Sequence, residues 1–319
     1  MKAVFCEKFG GPKDLVVKEI EPPDTPKPDE VQINLKYRGI AFADLVRMAG
    51  NYQDNRTPPY IVGGDGSGII TCVGKNVTSI KPGDKVTSVG GCVEIINVSE
   101  SKVRKLPDDI DLELAAAFGN TYMTAFYGLH LAQLQPNETL LVHGAAGGVG
   151  LAAVDLGKLM GARVIATASS DDKLAIVKQL GADEIINYSN GFREKVKDLT
   201  QDLGADVIYD PVGGDIFDES MRCIAPYGRI LIVGFTSGRP ALAKTNHLLV
   251  KDASVIGYTV NSLQQKRPAL FDEYAETLVD YLVKGLIKPH ISHRYKMDEI
   301  VQAFQVIIDR QVIGKVLVT

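Results

Sequence analysis

The sequence predicts an α/β fold, a doubly wound parallel sheet joined to a smaller barrel-like β domain. Three observations carry this. From residue 139 onward, short apolar strands alternate with helical stretches, the signature of a parallel sheet covered on both faces. The first third instead reads as many short strands set between Gly and Pro turns. Where the alternation begins, residues 139–150 read TLLVHGAAGGVG, an apolar run that enters a glycine-dense turn and then helical spacing.

The elements follow in chain order. Residues 31–37 (VQINLKY) alternate apolar and polar side chains, as a half-buried strand does. Further strands are predicted at 66–73, 85–89 and 91–98. Between them KPGDKV, residues 81–86, is a turn in which Pro presets one dihedral and Gly supplies the unusual one. Near Leu112 the pattern changes, and residues 112–131 carry helical apolar spacing. Strands are then expected at 139–143, 163–167, 184–187, 206–210, 229–234 and 254–258. Helices are expected at 150–160, 171–180, 191–200 and 216–224, with only a weak helical pattern at 241–250. A long amphipathic helix at 269–284 precedes a strand at 293–296, a helix at 297–309 and a strand at 315–318.

Composition narrows the function. At 319 residues the chain is long for one core, which points to two domains. Hydrophobic residues make up 45% and charged residues 23%, as in ordinary globular proteins. Thirty-five basic against 39 acidic side chains leave a net charge of −4, with no basic stripe, so nucleic acid is not the expected partner. No apolar run reaches membrane-spanning length. The opening MKAVFCEKFG lacks the features of a signal or transit peptide, so a cytoplasmic location is expected. The cysteines, Cys6, Cys72, Cys92 and Cys223, form no C-x-x-C pair. His290 and His293 stand close together without an acidic or cysteine partner nearby, and no metal site is expected.

The glycine turn carries the chemistry. Ala145, Gly147 and Gly150 occupy the three places of a G-x-G-x-x-G fingerprint, with alanine in the first. A strand, a tight turn and a helix N-terminus in that order suit a dinucleotide pyrophosphate, making this a Rossmann-type unit. Ala145, Ala146, Gly147, Gly148, Val149 and Gly150 are its expected binding residues. The next strand ends in Ser169, Ser170, Asp171, Asp172 and Lys173. An NAD enzyme usually places a carboxylate at this strand tip. Small hydroxyls with a lysine one turn later favour a 2′-phosphate, hence NADPH. The same residues also read as a plain helix start, Ser170 as N-cap and the two aspartates favouring the dipole. Tyr188, after the third strand, is placed to lie against an adenine ring or to cap the core. The turns after the fourth and fifth strands, with Val212 and Gly213, and with Gly234, Phe235 and Thr236, lie at the sheet edge where ligands bind in open α/β folds.

HGAAGGVG, DPVGG, GRILIVGFTSG, KPGDKV and the terminal GKVLVT together resemble the zinc-free quinone oxidoreductases. That family is related to zeta-crystallin within the medium-chain dehydrogenase/reductase superfamily, and the likeness covers essentially the whole chain. It implies a GroES-like catalytic domain in residues 1–121, a Rossmann NADPH-binding domain in 122–261 and a return to the catalytic domain in 262–319. It implies a homodimer joined through the edge strand from Ser254 to Tyr258. Tyr52 matches a family position lining the substrate cleft, where it is the expected donor to the carbonyl oxygen or else a loop tyrosine packed on the barrel; Thr124 matches the threonine near the nicotinamide or else bonds back to its own helical turn; and Lys315, after Gly314, is expected to touch the cofactor or to edge the last strand. The zinc branch carries a cysteine in the stretch matching residues 39–44, and none is present here, so the chemistry expected is metal-free. Two departures stand out. Ala41-Phe42-Ala43-Asp44 replaces the usual Asn-Phe-x-Asp, and Gly63-Gly64-Asp65 replaces Pro-Gly-x-Glu. The expected activity is hydride transfer from NADPH to quinones or other α,β-unsaturated carbonyls. An enoyl-thioester reductase, or a crystallin-like NADPH binder without turnover, are the alternatives, and the departure at Ala41 leaves the acceptor open.

Overall fold

The computed structural model describes residues 1–53 and 56–319. The chain divides into two compact units, Met1–Asn120 with Pro289–Thr319, and Thr121–Lys288. The first opens with β1 (Lys2–Cys6), β2 (Leu15–Glu19), β3 (Glu30–Ile40), helix α1 (Phe42–Met48), β4 (Tyr60–Ile61), β5 (Asp65–Val73), β6 (Lys85–Val89), β7 (Ile95–Ser99) and β8 (Val103–Lys105). Alternation in β3 turns Val31, Ile33 and Leu35 inward, where they pack with Ile70, Val86 and Val98. Helix α1 does not follow from apolar spacing. It is seven residues long, and Asp44 closes its first turn by accepting the Ala41 N–H at 2.9 Å. Strand β7 starts four residues later than the sequence pattern suggests, because Val93 makes only an isolated bridge to Ala3.

Helix α2 (Leu112–Leu131) leads into the second unit, which alternates β9 (Thr139–Val142), α3 (Gly148–Leu159), β10 (Arg163–Ala168), α4 (Asp171–Gln179), β11 (Glu184–Asn187), α5 (Arg193–Leu199), β12 (Ala205–Asp210), α6 (Gly214–Cys223), β13 (Ile224–Ile232), α7 (Thr245–Lys251) and β14 (Ser254–Gly257). Among the described residues these strands form one parallel sheet in the order β11-β10-β9-β12-β13-β14. The order reverses at β9, whose neighbours are β10 and β12, and a crevice at such a switch point is where open α/β sheets take ligands. Leu141, Ile165, Ile208 and Ile230, from four adjacent strands, pack with Phe192 and Phe217 into the core below that crevice. The weak helical pattern before the edge strand becomes the short α7, stopped by Asp252 in the left-handed region at φ 50°.

Helices α8 (Val260–Lys266) and α9 (Pro268–Val283) cluster with the second unit, and the first unit resumes at Pro289. There β15 (Ile291–Tyr295), a 3₁₀ turn and α10 (Ile300–Ile308), and β16 (Lys315–Val318) finish the chain. Strand β16 pairs with β15 on one side and β3 on the other, and the sheet continues through β5 and β6 to β8. Phe304 and Met297 pack with Val316, Val318 and Ile40 behind it.

Candidate functional site

The first cluster lies at the carboxyl ends of the parallel strands. The chain leaves β9 through His143 and Gly144, and Ala145 N–H bonds to the Thr167 carbonyl of β10 at 2.9 Å. Gly147 is the N-cap of α3 with no side-chain cap, so the first amides of the helix keep their capacity for an anion. A Cβ on Gly150 would stand 2.3 Å from the Gly144 oxygen and 2.8 Å from the Ala145 Cα. The helix therefore approaches the turn as closely as glycine permits. The result is a tight cradle lined by backbone.

The neighbouring turns converge on it. Thr236 N–H bonds to the Pro211 carbonyl at 3.1 Å and Ser237 N–H to the Val212 carbonyl at 3.0 Å, which fastens the loop after β13 to the turn after β12. Gly213 sits at φ 69°, and a Cβ there would meet the Arg239 oxygen at 2.9 Å and the Phe235 ring at 3.0 Å. Val212, Gly213, Phe235 and Thr236 are thus brought together. At the tip of β10, Ser169 is exposed and Ser170 accepts the Lys173 N–H at 3.3 Å as N-cap of α4. Asn187 holds Asp171 at 2.9 Å, and Ser189 donates to the Ser169 carbonyl at 3.3 Å. Tyr188 opens a 3₁₀ turn just past β11, half-buried against the core. The structure adds Asn187 and Ser189 to this corner. Sequence reading missed them because their role depends on the parallel pairing of β10 with β11.

Two buried polar groups stand behind these turns. Asp210 is 1% exposed at the end of β12; its Oδ1 accepts the Val212 and Gly213 N–H groups at 2.8 and 2.9 Å, while its Oδ2 has no hydrogen-bond partner among the described residues. Burial lifts its carboxyl above the ordinary range. His143 is fully buried between Thr167 Oγ1 and Ser220 Oγ, each at 2.8 Å. Ser220 donates its own proton to the Ile216 carbonyl at 2.7 Å, so it receives the proton of Nε2, and Thr167 donates to Nδ1. Burial holds this imidazole neutral, its pKa pushed down to about 3. The uncapped helix N-terminus and the close approach at Gly150 fit a dinucleotide at this edge.

Thr124, on α2, is half-buried, and its carbonyl accepts the Tyr258 hydroxyl at 2.9 Å. Gly128 clears the way for that tyrosine, since a Cβ there would lie 2.2 Å from its oxygen.

The second cluster lies in the first unit. Asp65, at the start of β5, pairs through Oδ2 with the Lys315 ammonium at 2.9 Å and accepts the Asn120 N–H through Oδ1 at 3.1 Å. The Lys315 side chain is 5% exposed. Its ammonium therefore ends on an internal carboxylate, and Gly314 packs so tightly on the His290 carbonyl that a Cβ would lie 2.1 Å from it. On α1, Asp44 and Arg47 pair at 2.9 Å, and the Arg47 guanidinium lies 4.3 Å from the centre of the Tyr52 ring. Burial raises the Asp44 carboxyl, against the opposing pull of the Ala41 N–H and Arg47. Tyr52 is half-buried, and its hydroxyl has no hydrogen-bond partner among the described residues. Arg47 was missed by sequence reading, although its spacing three residues after Asp44 was there to find. Among the described residues, no three His, Cys, Asp or Glu side chains form a group that could hold a metal ion. No described helix is long and apolar enough to cross a membrane.

The chain is similar to known proteins. Residues 27–119 match the alcohol dehydrogenase GroES-like domain, and residues 148–276 match the zinc-binding dehydrogenase family. The quinone oxidoreductase-like protein 2 homolog of Nematostella vectensis is 38% identical over 99% of this chain and 88% of its own length. The crystal structure of Escherichia coli quinone oxidoreductase complexed with NADPH superposes with a TM-score of 0.90 at 28% identity, covering 100% of this chain and 99% of that one. The CurK enoyl reductase structure gives 0.89 at 26% identity, over 100% and 98%. By its glycine turn, its two kinds of unit and its full-length identity to these relatives, the chain belongs to the quinone oxidoreductase-like family of the medium-chain dehydrogenase/reductase superfamily and is an oxidoreductase.

Proposed function

We propose that this protein is an NADPH-dependent reductase that acts without a metal on quinones or other α,β-unsaturated carbonyls. The observation that carries the reading is the glycine-lined backbone cradle of residues 147–150, where a Cβ on Gly150 has no room. The amides of Gly148, Val149 and Gly150 would hold the pyrophosphate, with Ala145 and Ala146 forming the turn's floor. Ser169, Ser170 and Lys173 would hold the 2′-phosphate, and Tyr188 would flank the adenine. Val212, Gly213, Gly234, Phe235 and Thr236 would contact the nicotinamide half, with Thr124 beside it. Bound there, the reduced coenzyme supplies a hydride to a carbon conjugated with a carbonyl. The protein aligns the reactants and keeps water out. Tyr52 donates a hydrogen bond to the carbonyl oxygen, where negative charge develops. Lys315 is assigned to its ion pair with Asp65, and Gly314 to the close packing beneath it.

The test is NADPH oxidation against a panel of quinones, enones and an enoyl thioester, the last included because of the likeness to the CurK enoyl reductase. Turnover with quinones or enones and not with the thioester is the expected result. Turnover confined to the thioester selects the other reductase, and coenzyme binding without turnover selects a crystallin-like binder. The coenzyme choice has its own check. Lys173→Ala should reduce the preference for NADPH over NADH about fivefold in calorimetric titration, as the loss of one charge-assisted contact would; an unchanged ratio rejects the 2′-phosphate assignment. Strand β14 has a neighbour only on its β13 side among the described residues. It is proposed as the seam of a homodimer, which Ile256→Asp should break in sedimentation velocity.

A further inference from the structure

Tyr52 lies beyond the end of α1, past Ala49 and Gly50, where the backbone turns at φ 75°. A tyrosine on such a loop has a ring free to swing unless something fixes its plane. The structure supplies a chain of three links. The Ala41 N–H fixes Asp44 Oδ2 at 2.9 Å, Asp44 Oδ1 fixes Arg47 Nη1 at 2.9 Å, and the guanidinium covers the Tyr52 ring at 4.3 Å. The paired side chains of Arg47 and Asp44 are only 14% and 7% exposed, so water screens the pair little. A guanidinium is planar and stacks on an aromatic face, so it constrains both the position and the tilt of the ring, which a point charge does less well. The ring is thereby referred to the backbone of the helix's first turn, while its hydroxyl has no hydrogen-bond partner among the described residues.

We infer that Arg47 is a positioning residue: clamped by Asp44, it fixes the plane of the Tyr52 ring so that the hydroxyl meets the acceptor oxygen in one orientation. This rests on the reading of Tyr52 as the donor. Orientation matters most in the transition state, so removing the clamp lowers kcat and leaves the KM for the acceptor nearly unchanged. Arg47 acts through Tyr52 and has no effect of its own on turnover.

The test is a double-mutant cycle on the full-length protein with NADPH and the best quinone of the panel. Arg47→Met should lower kcat about tenfold with KM shifted by less than about twofold, and Arg47→Lys should recover part of the loss. In the Tyr52→Phe background, Arg47→Met should cost nothing more. Arg47→Met leaves the buried Asp44 unpaired, so Asp44→Asn/Arg47→Met is measured beside it, with melting temperatures, to separate misfolding from misorientation. A second readout needs no turnover: a 3-fluorotyrosine placed at position 52 should give a broadened or shifted fluorine resonance in Arg47→Met and a near-native one in Arg47→Lys. Multiplicative losses in the double mutant, or an unmoved resonance, overturn the positioning role while leaving Tyr52 as donor. An unchanged kcat in Tyr52→Phe overturns the donor reading and this inference with it.

Discussion

The sheet edge of the second unit and the charged cluster of the first both gather polar groups, but from different materials. The edge is built from backbone: glycines at 147, 150 and 213, a helix N-terminus without a side-chain cap, and turns tied to each other by main-chain hydrogen bonds. The cluster is built from side chains: Asp65 on Lys315, Asp44 on Arg47, and Arg47 on Tyr52. Backbone groups tolerate no added bulk, yet they carry no net charge that a substitution could orphan. A side-chain site fails in the opposite way. Removing one member strands its partner in a place where water cannot compensate.

That contrast can be broken at its strongest point first. Asp65→Asn leaves the Lys315 ammonium buried without its carboxylate, and the expected loss in denaturant unfolding is about 3–5 kcal/mol. Replacing both members with apolar residues, Asp65→Leu/Lys315→Met, should recover most of it; if it does not, the pair does more than satisfy itself. Next, Gly150→Ala tests the backbone side. Its Cβ has no room against Gly144 and Ala145, so overpacking should cost about 1–3 kcal/mol, and calorimetry should find coenzyme affinity down at least about tenfold. Normal stability with normal affinity would mean that the turn is looser than the contacts imply.

The smallest effect concerns His143. Its folded pKa of about 3 lies below the ordinary 6.5, so as pH falls through 6.5 the unfolded chain takes up a proton that the folded chain refuses. The neutral imidazole's contribution is complete above pH 6.5 and declines toward pH 3. At pH 5.5 the decline amounts to about 1.3 kcal/mol relative to pH 7. His143→Gln should remove that part of the pH dependence, measured as the difference between the two proteins' unfolding curves at pH 7 and pH 5.5.

How legible each region was follows from the same contrast. TLLVHGAAGGVG could be read on sight because strand, turn and helix are contiguous, and only glycine fits where Gly150 meets Gly144. The alternation of strands and helices fixed the sheet for a similar reason, since each βα unit is local. The cluster resisted because its pairs are assembled by the fold: Asp65 and Lys315 stand 250 positions apart. Lys315 was therefore left between a coenzyme contact and a strand edge, and neither option named its carboxylate. Helix α1 was overlooked because seven residues give too few turns for periodicity to speak, and an alanine at its N-cap hides the usual signal. The return to the first unit is the least legible boundary, because α8 and α9, which cluster with the second unit, carry no local mark of the unit they join.

Strand β16 lies between β15 and β3, well inside the sheet of the first unit, and it brings the lysine that neutralises Asp65. A ribosome makes this strand only after the entire second unit has been translated. Residues 121–288 can collapse on their own contacts during synthesis, whereas the first unit must wait with β3 as an open sheet edge and an unneutralised carboxylate beside it. Nascent-chain proteolysis should accordingly find the nucleotide half protected first, and the barrel should be the half that depends on chaperones.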